Sequence, residues 1–589
     1  LHRLRRALSS LAIPANRAPN RAPNRAPNRA KEPCLMSYQP PLGEIAFTLD
    51  HMIGADALTR TDRYAEATAE TRDAVLAEAG RLCAEVMAPL NAVGDQHPAR
   101  LENGVVRTAP GFAEAYAAIR DGGWVGVAAD PAFGGMGLPQ TVAVAVREMM
   151  SAANLSLALA PLLSEGQIEA LETHAPDAVK ALYLPKLIAG AWTGTMNLTE
   201  PQAGTDLAAL RSKAEPDGSG AYRITGQKIY ITWGDHDMAE NICHLVLARL
   251  PDAPEGVRGI SLFLAPKYLP DANGAPGVAN ALRALSLERK MGIHASPTCV
   301  MAFEGAKGWL IGEPNRGLAC MFTMMNNARL GVGAQGVGVA EAALQKALAY
   351  ARERRQGATA SGESGIIGHA DVRRMLMSMK ARTAAARAII YACAFAIDMD
   401  AAEAAPEWAA RAGFLTPIAK AFGTDVGCEV ASLGVQVHGG MGFVEDAGAA
   451  QLLRDARITP IYEGTNGVQA MDLVGRKLAD GGAAARALLA EIGAEADDPR
   501  LAAAHAAVTQ ATDWMLAAAV RDRQAGAADY LRAWGLLLGA HYLCRGAKAD
   551  PARAPLAAFF LRREAPAIAA HCAAATDGAD SVFADALAS

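Results

Sequence analysis

Aromatic residues make up only 5% of this 589-residue chain although 51% of it is hydrophobic, so alanine and leucine carry the apolar count. Those two residues lead the helix scale, and the scarcity of aromatics works against extensive sheet; the chain is expected to be mainly helical. Basic charge is not in excess either. A formal net charge of −5 supplies no field for nucleic acid or an anionic membrane surface. Nine cysteines, at 34, 83, 243, 299, 320, 393, 428, 544 and 572, are odd in number and never spaced C-x-x-C. This excludes a disulfide framework or a zinc site and fits a reducing, cytoplasmic compartment. Long apolar runs are missing too. The stretch "AWGLLLGAHYLC" between Arg532 and Arg545 falls well short of the roughly 20 residues a spanning helix needs, so no membrane span is expected. What remains is a soluble helical chain too long for one core, for which three or four domains are expected.

The first 35 residues stand apart. "NRAPNRAPNRAPNRA" places proline at every fourth position, which suits neither a helix interior nor a strand ladder, and disorder is expected. The segment is arginine-rich with no acid before Glu32, as in a mitochondrial transit peptide, which would direct the protein to the matrix. The perfect repeat, a first residue that is not Met and the sequence "MSYQPPLGEIAF" from Met36 favour a start further along. Residues 1–35 are therefore set aside from fold reasoning.

Along the rest, hydrophobic periodicity changes twice. Residues 36–190 read as a helical domain, with apolar positions recurring at three and four in "RYAEATAETRDAVLAEAGRLCAEVMAPLN". From 191 to 312 the chain turns to short alternating runs such as "YRITGQKIYIT" and "GISLFLAP" between Gly, Pro and Asp clusters, which read as an antiparallel β domain. Residues 313–480 return to helix, and 481–589 form a further alanine-rich helical block. One motif misleads. "GVGAQG" at 331–336 matches G-x-G-x-x-G, but no strand precedes it and no βαβ unit follows. Its glycines are expected to serve close helix packing.

Within "ITPIYEGTNGVQAMD" (458–472) a single glutamate, Glu463, stands between an apolar step and a glycine turn. Alone it would read as a solvated charge. It is accompanied by "MNLTEPQAGTDL" (196–207), "KIYITWG" (228–234), "LERKMGIHASPT" (287–298), "NNARLGVGAQGVG" (326–338), "YARERRQG" (350–357) and "QVHGGMGFVED" (436–446). In order and approximate spacing these segments resemble the flavin-dependent acyl-CoA dehydrogenases over roughly residues 37–480. The resemblance implies an α domain, a β domain and an α bundle binding FAD, here with a C-terminal helical extension.

It also implies roles. Glu463 would be the base that takes the α-proton of an acyl-CoA thioester while the β-hydrogen leaves as hydride to flavin N5; burial would raise its carboxyl towards the working range. Gly464 would let backbone approach the substrate. Met196, Leu198 and Thr199 would lie along the isoalloxazine, with Tyr230 and Thr232 as a second flavin-facing pair on one face of a strand. Arg354 and Gln356 would grip the pyrophosphate of a neighbouring subunit's FAD. Gln436, Gly439 and Gly440 would form the adenosine-side loop, with Thr465 a further FAD contact. Arg329 would meet phosphate or adenine at the CoA end, Thr205 the pantetheine arm, and Asn326 occupies a position often held by Asp.

The longer form and its "YQPPLGEIAFTLDHM" start are most similar to the branch acting on 3-methylmercaptopropionyl-CoA, with medium- or long-chain straight acyl-CoAs as the alternative. An acyl-CoA oxidase, a DNA-protective flavoprotein of the same fold and a catalytically dead acyl-CoA binder are more distant readings. The DNA reading is disfavoured because residues 481–589 carry ten Arg and Lys against twelve Asp and Glu. The implied electron acceptor is an electron-transferring flavoprotein. The tail is expected to cover the surface on which shorter members pair their dimers, leaving a homodimer.

Overall fold

The structure, a computed structural model, describes residues 38–586; the arginine-proline segment and the question of where translation starts lie outside them. Helices α1 (Ala69–Leu82), α2 (Phe112–Asp121), α3 (Gln140–Ala153), α4 (Leu155–His174) and α5 (Asp177–Ile188) come first. Seven strands of one sheet follow: β1 (Trp192–Asn197), β2 (Lys213–Pro216), β3 (Tyr222–Thr232), β4 (Asn241–Arg249), β5 (Ile260–Pro266), β6 (Leu282–Leu287) and β7 (Thr298–Ile311). Then come α6 (Gly317–Glu353), α7 (Ala370–Glu403), α8 (Pro406–His438), α9 (Ala449–Ala456) and α10 (Asn466–Gly475). The tail contributes α11 (Ala483–Ala494), α12 (Pro499–Ala517), α13 (Ala527–Ala549), α14 (Ala554–Arg563) and α15 (Ala567–Ala575). The molecule is mainly helical around a central β unit, as the composition implied.

The sheet runs β6-β7-β3-β2-β4-β1, and β5 pairs with both β7 and β4, so five strands close into a small barrel. It is antiparallel except that β1 runs parallel to β4 over six residue pairs and β2 meets β4 in parallel at Lys213 and Arg249. An antiparallel reading therefore needs correction at that edge. The parallel partner comes from a distant segment, and strand alternation carries no signal of direction. The expected alternation fails in β4 and β5, which are buried on both faces, so "ICHLVLAR" and "ISLFLAP" are continuous rather than alternating runs. Ile224, Val246, Phe263, Met301 and Phe303 fill the barrel.

In the bundle, α6 lies along α8 at very close approach. A methyl group on Gly336 would sit 2.2 Å from the Gly423 carbonyl oxygen, and one on Gly333 2.9 Å from that of Ala419. The "GVGAQG" run is thus a helix contact, made of glycines because backbone meets backbone there. A buried ionic cluster ties three helices: Arg387 of α7 donates to Glu148 of α3 at 2.7 Å and to Glu341 of α6 at 2.8 Å. Asp398 of α7 caps α3, accepting from the Gln140 and Thr141 N–H groups at 2.6 and 2.9 Å.

The tail packs over the bundle. Gly535 and Gly539 of α13 bring that helix onto Phe422 and Ala385, and Glu564 accepts from Ser378 and Arg382 of α7 at 2.7 and 2.9 Å. Among the described residues no helix is long and apolar enough to cross a membrane.

Candidate active site

Glu463 sits on the turn between α9 and α10 with φ +57°, followed by Gly464 at φ +83°. Glycine adopts that conformation freely, whereas for glutamate it costs about 1–2 kcal/mol, so surrounding contacts must hold it. Gln469 of α10 donates through Nε2 to the Glu463 carbonyl at 3.2 Å and to that of Gly464 at 3.3 Å. Lys420 of α8 donates to the Gly464 carbonyl at 2.9 Å and to Asn466 Oδ1 at 3.0 Å. Thr465 is the N-cap of α10, its hydroxyl accepting from the Val468 N–H at 3.2 Å. Asn466 is fixed in turn by donating to Asp425 at 2.7 Å.

Burial pushes the Glu463 carboxyl up to about 7, against the opposing charges of Arg329 and then Lys420. Lys420, fully buried, is pushed down to about 8 by the same cause, with Glu463 its strongest opponent. Next door, the Tyr462 hydroxyl donates to Gln335 of α6. Gln335 lines a cavity of about 10 Å³ together with Pro161 and Leu162 of α4 and the ion pair of Arg147 and Glu165. Pro161, inside α4, lacks the N–H that would close the helix there.

Of the residues expected in the site, the structure gathers Glu463, Gly464, Arg329 and Asn326; Arg329 donates to Asn326 Oδ1 at 3.2 Å. One expectation changes. Arg329 is 5% exposed and faces Glu463 and Asp472, so its guanidinium lies beside the base rather than at a solvent-facing phosphate site. Asn326 remains exposed, and Thr205 is exposed in the loop between β1 and β2.

The segment Met196–Thr199 runs alongside β3: Lys228 donates to the Leu198 carbonyl at 2.9 Å, and the Ile229 N–H to that of Thr199 at 3.0 Å. The expected alternation of Tyr230 and Thr232 fails. Tyr230 adopts φ +61° where the register between β3 and β7 shifts, and this β-bulge breaks the period of two. Tyr230 is 61% exposed while Thr232 is half-buried. Trp233 is also left-handed, at φ +51°, and its indole donates to the Ser156 carbonyl at 3.2 Å. Three strained non-glycine residues thus fall in the two segments assigned to flavin and base, as strain does at functional sites.

Arg354 caps the C-terminal end of α6, exposed, with Gln356 just beyond it. Gln436, Gly439 and Gly440 are exposed at the end of α8. The two ends are neighbours, since Tyr350 stacks on His438 at 4.5 Å. Along α6, Arg354 is roughly 28 Å from Gln335 at 1.5 Å per residue. That end therefore does not join Glu463 within one chain.

Sequence reasoning missed Lys420, Gln335, Tyr462, Gln469 and Asn466. The signal was present for two of them. Lys420 is the only charge in "FLTPIAKAFG", and Gln335 the only polar side chain in "GVGAQGVG". As for metal, Glu491, Glu495 and His541 come together in the tail, but Arg411 and Arg545 already occupy both carboxylates, which makes the cluster an ion-pair network.

Three family models match in sequence: the acyl-CoA dehydrogenase N-terminal domain over residues 69–191, the middle domain over 195–306 and the C-terminal domain over 315–479. The chain belongs to the acyl-CoA dehydrogenase family. It is 47% identical over 527 residues to 3-methylmercaptopropionyl-CoA dehydrogenase of Ruegeria pomeroyi, covering 85% of this chain and 89% of the relative. It is 34% identical over 462 residues to a butyryl-CoA dehydrogenase of Syntrophomonas wolfei, covering 75% and 76%. In structure it resembles Caenorhabditis elegans ACDH-11 in complex with C11-CoA, with a TM-score of 0.75, 20% identity and coverage of 95% of this chain and 97% of that one. This last likeness, which takes in the tail, is one of fold. An acyl-CoA dehydrogenase is an oxidoreductase that uses FAD, and the residues here suit that cofactor. Tyr230 offers an exposed aromatic face, Thr199 and Thr232 offer hydroxyls, and Arg354 offers an unburied guanidinium for a diphosphate.

Proposed function

We propose that this acyl-CoA dehydrogenase oxidises the Cα–Cβ bond of a short acyl-CoA, 3-methylmercaptopropionyl-CoA, with Glu463 as the base. The observation that carries the assignment of the base is the Glu463 turn: a carboxyl held near 7 by burial, on a strained backbone clamped by Lys420 and Gln469. A carboxylate with that affinity for protons is well matched to removing an α-proton at neutral pH. Among the described residues the Glu463 N–H donates to no acceptor, which leaves it available to the thioester oxygen as the α-carbon loses its proton. Met196, Leu198, Thr199, Tyr230, Thr232 and Thr465 would hold FAD, which when bound supplies the acceptor for the β-hydride. Gly464 and Thr205 would contact the thioester and its pantetheine arm, and Asn326 the CoA end.

The substrate rests on the likeness to the Ruegeria enzyme. Such a substrate would place the protein in dimethylsulfoniopropionate breakdown, with an electron-transferring flavoprotein as acceptor. Eight described cysteines are unpaired, in keeping with a cytoplasmic enzyme.

We also propose a homodimer. Arg354, Gln356, Gln436, Gly439 and Gly440 lie too far along the helices to serve their own chain's Glu463 site, so they would complete the FAD site of a second copy. Met441, Val444 and Phe443, the last 88% exposed, form an apolar surface at that same end.

The test is an anaerobic titration of the FAD-loaded protein with 3-methylmercaptopropionyl-CoA, butyryl-CoA and octanoyl-CoA, following the oxidised flavin band. Bleaching fastest with the thioether substrate is the expected result. Preference for octanoyl-CoA would overturn the substrate, and a band that no thioester bleaches would overturn the reaction. Hydrogen peroxide formation without an added acceptor would point to an oxidase instead.

A further inference from the structure

A lysine with no exposed surface is an expensive residue to place inside a bundle, because burial penalises its charge. Lys420 has 0% exposure, and its ammonium donates to a carbonyl and an amide oxygen, at 2.9 and 3.0 Å, rather than to a carboxylate. The carbonyl belongs to Gly464, which directly follows the base. The amide belongs to Asn466, whose own Nδ2 donates to Asp425 at 2.7 Å and to the Ala421 carbonyl at 3.2 Å. Asn466 therefore cannot turn its oxygen away from Lys420 without breaking both bonds. Helix α8 holds the lysine stem, α10 holds the asparagine, and the strained turn is clamped between them.

We propose that Lys420 is a positioning residue for Glu463: its ammonium fixes the left-handed turn and holds a positive charge against the base, setting the pH at which Glu463 begins to work. The inference rests on the reading of Glu463 as the base. Two cations face that carboxyl, Arg329 from α6 and Lys420 from α8. Arg329 also faces Asp472 of α10 and is repelled by Arg476, so part of its field is spent elsewhere. Lys420 in turn faces Glu463 first and Asp425 second, with Arg329 opposing and Cys428 a smaller influence. On its own turn, Glu463 adjoins Tyr462, whose hydroxyl burial keeps protonated and which also feels Asp455 of α9. A guanidinium keeps its charge throughout the working range. Lys420, pushed down to about 8, is the cation of the pair that can lose its charge near neutral pH.

The sign follows directly. Positive charge favours the carboxylate, so removing it raises the proton affinity of Glu463 and moves the acid limb of activity to higher pH. Three variants separate clamp from charge. Lys420→Met removes both, Lys420→Gln keeps a donor for the Gly464 carbonyl without charge, and Lys420→Arg keeps the charge. The experiment measures kcat and kcat/KM against pH on FAD-loaded enzyme, using whichever thioester bleaches the wild-type flavin.

Lys420→Met is expected to move the acid limb of kcat/KM upward by about half a unit or more and to lower kcat by roughly 10- to 100-fold through the loosened turn. Lys420→Gln should regain part of kcat yet keep the displaced limb, and Lys420→Arg should restore the wild-type limb. If Lys420→Met fails to fold, the Gln and Arg pair still decides. Acid limbs for Gln and wild type that superimpose overturn the proposal, whatever the rates. Glu463→Gln, measured alongside, keeps the two readings apart. Full activity in that variant refutes the base itself, whereas an inactive Glu463→Gln with an unmoved limb in Lys420→Gln refutes only the role of Lys420.

Discussion

At the scale of single residues, Glu463 combines three costs in one place: a left-handed backbone, a half-buried carboxyl and a proton affinity raised to about 7. A carboxyl whose folded pKa lies above its unfolded value binds its proton more tightly when folded. Its penalty is therefore absent below about 4.5, grows as pH rises, and is complete above about 7. Glu463→Gln removes that titration. The variant is expected to lose turnover by about a thousandfold or more while retaining FAD. It is also expected to be more stable than wild type at pH 8, by roughly 1–3 kcal/mol once the partial exposure of the side chain is allowed for, with the difference vanishing near pH 4.5. Thermal unfolding of both proteins at the two pH values checks this. A variant no more stable at pH 8 would mean that the carboxylate is solvated. The wild-type kcat/KM should fall as pH drops through about 7, because protonation removes the base.

At the scale of elements, the contacts that build the site join segments far apart in the sequence, and this decides what the sequence made legible. The change to short runs after residue 191 was legible because that pattern is local, whereas the short antiparallel pair Arg100–Glu102 and Val105–Arg107, inside the segment read as helical, was not. Glu463 stood out through its glycine turn and the motifs around it. The β-bulge at Tyr230 did not, since a register shift depends on which residues of β7 lie opposite. The partners of Lys420 were hidden for the same reason: Gly464 and Asn466 are more than forty residues away along the chain. In the α6–α8 contact, glycine spacing carried the information once the dinucleotide reading was rejected. Gly336→Ala is expected to lower stability by about 1–3 kcal/mol, because its methyl group would meet the Gly423 carbonyl oxygen at 2.2 Å. Gly413→Ala, on α8, would meet only the mobile end of Lys477 at 3.3 Å and should be neutral or stabilising by up to about 1 kcal/mol. Melting temperatures of the two variants at equal FAD should move in opposite directions or differ clearly. Equal values would mean that the helices separate at little cost.

At the scale of the whole molecule, the tail and the exposed ends of α6 and α8 make opposite demands on assembly. The ends carry Arg354, Gln436 and the apolar loop at Phe443, and in the proposed dimer they would meet a second copy. The tail covers the outer face of α7 and α8, where Trp534 of α13 meets Phe414 edge-on at 4.9 Å. Arg382 there bridges Glu429 and Glu564 at 2.6 and 2.7 Å, while Arg532 reaches Glu429 at 2.8 Å. A face closed by this packing and these ion pairs is not free to join two dimers. Light scattering at micromolar concentration should therefore report a dimer for the full chain. A chain ending at Asp480 would expose Phe414 and Phe422 to water, and it should shift to tetramers or larger aggregates while its flavin band, if retained, still bleaches with substrate. A tetramer of the full chain would show that the dimers pair through some other surface, and a truncated chain that stays dimeric would show that the tail leaves assembly unchanged.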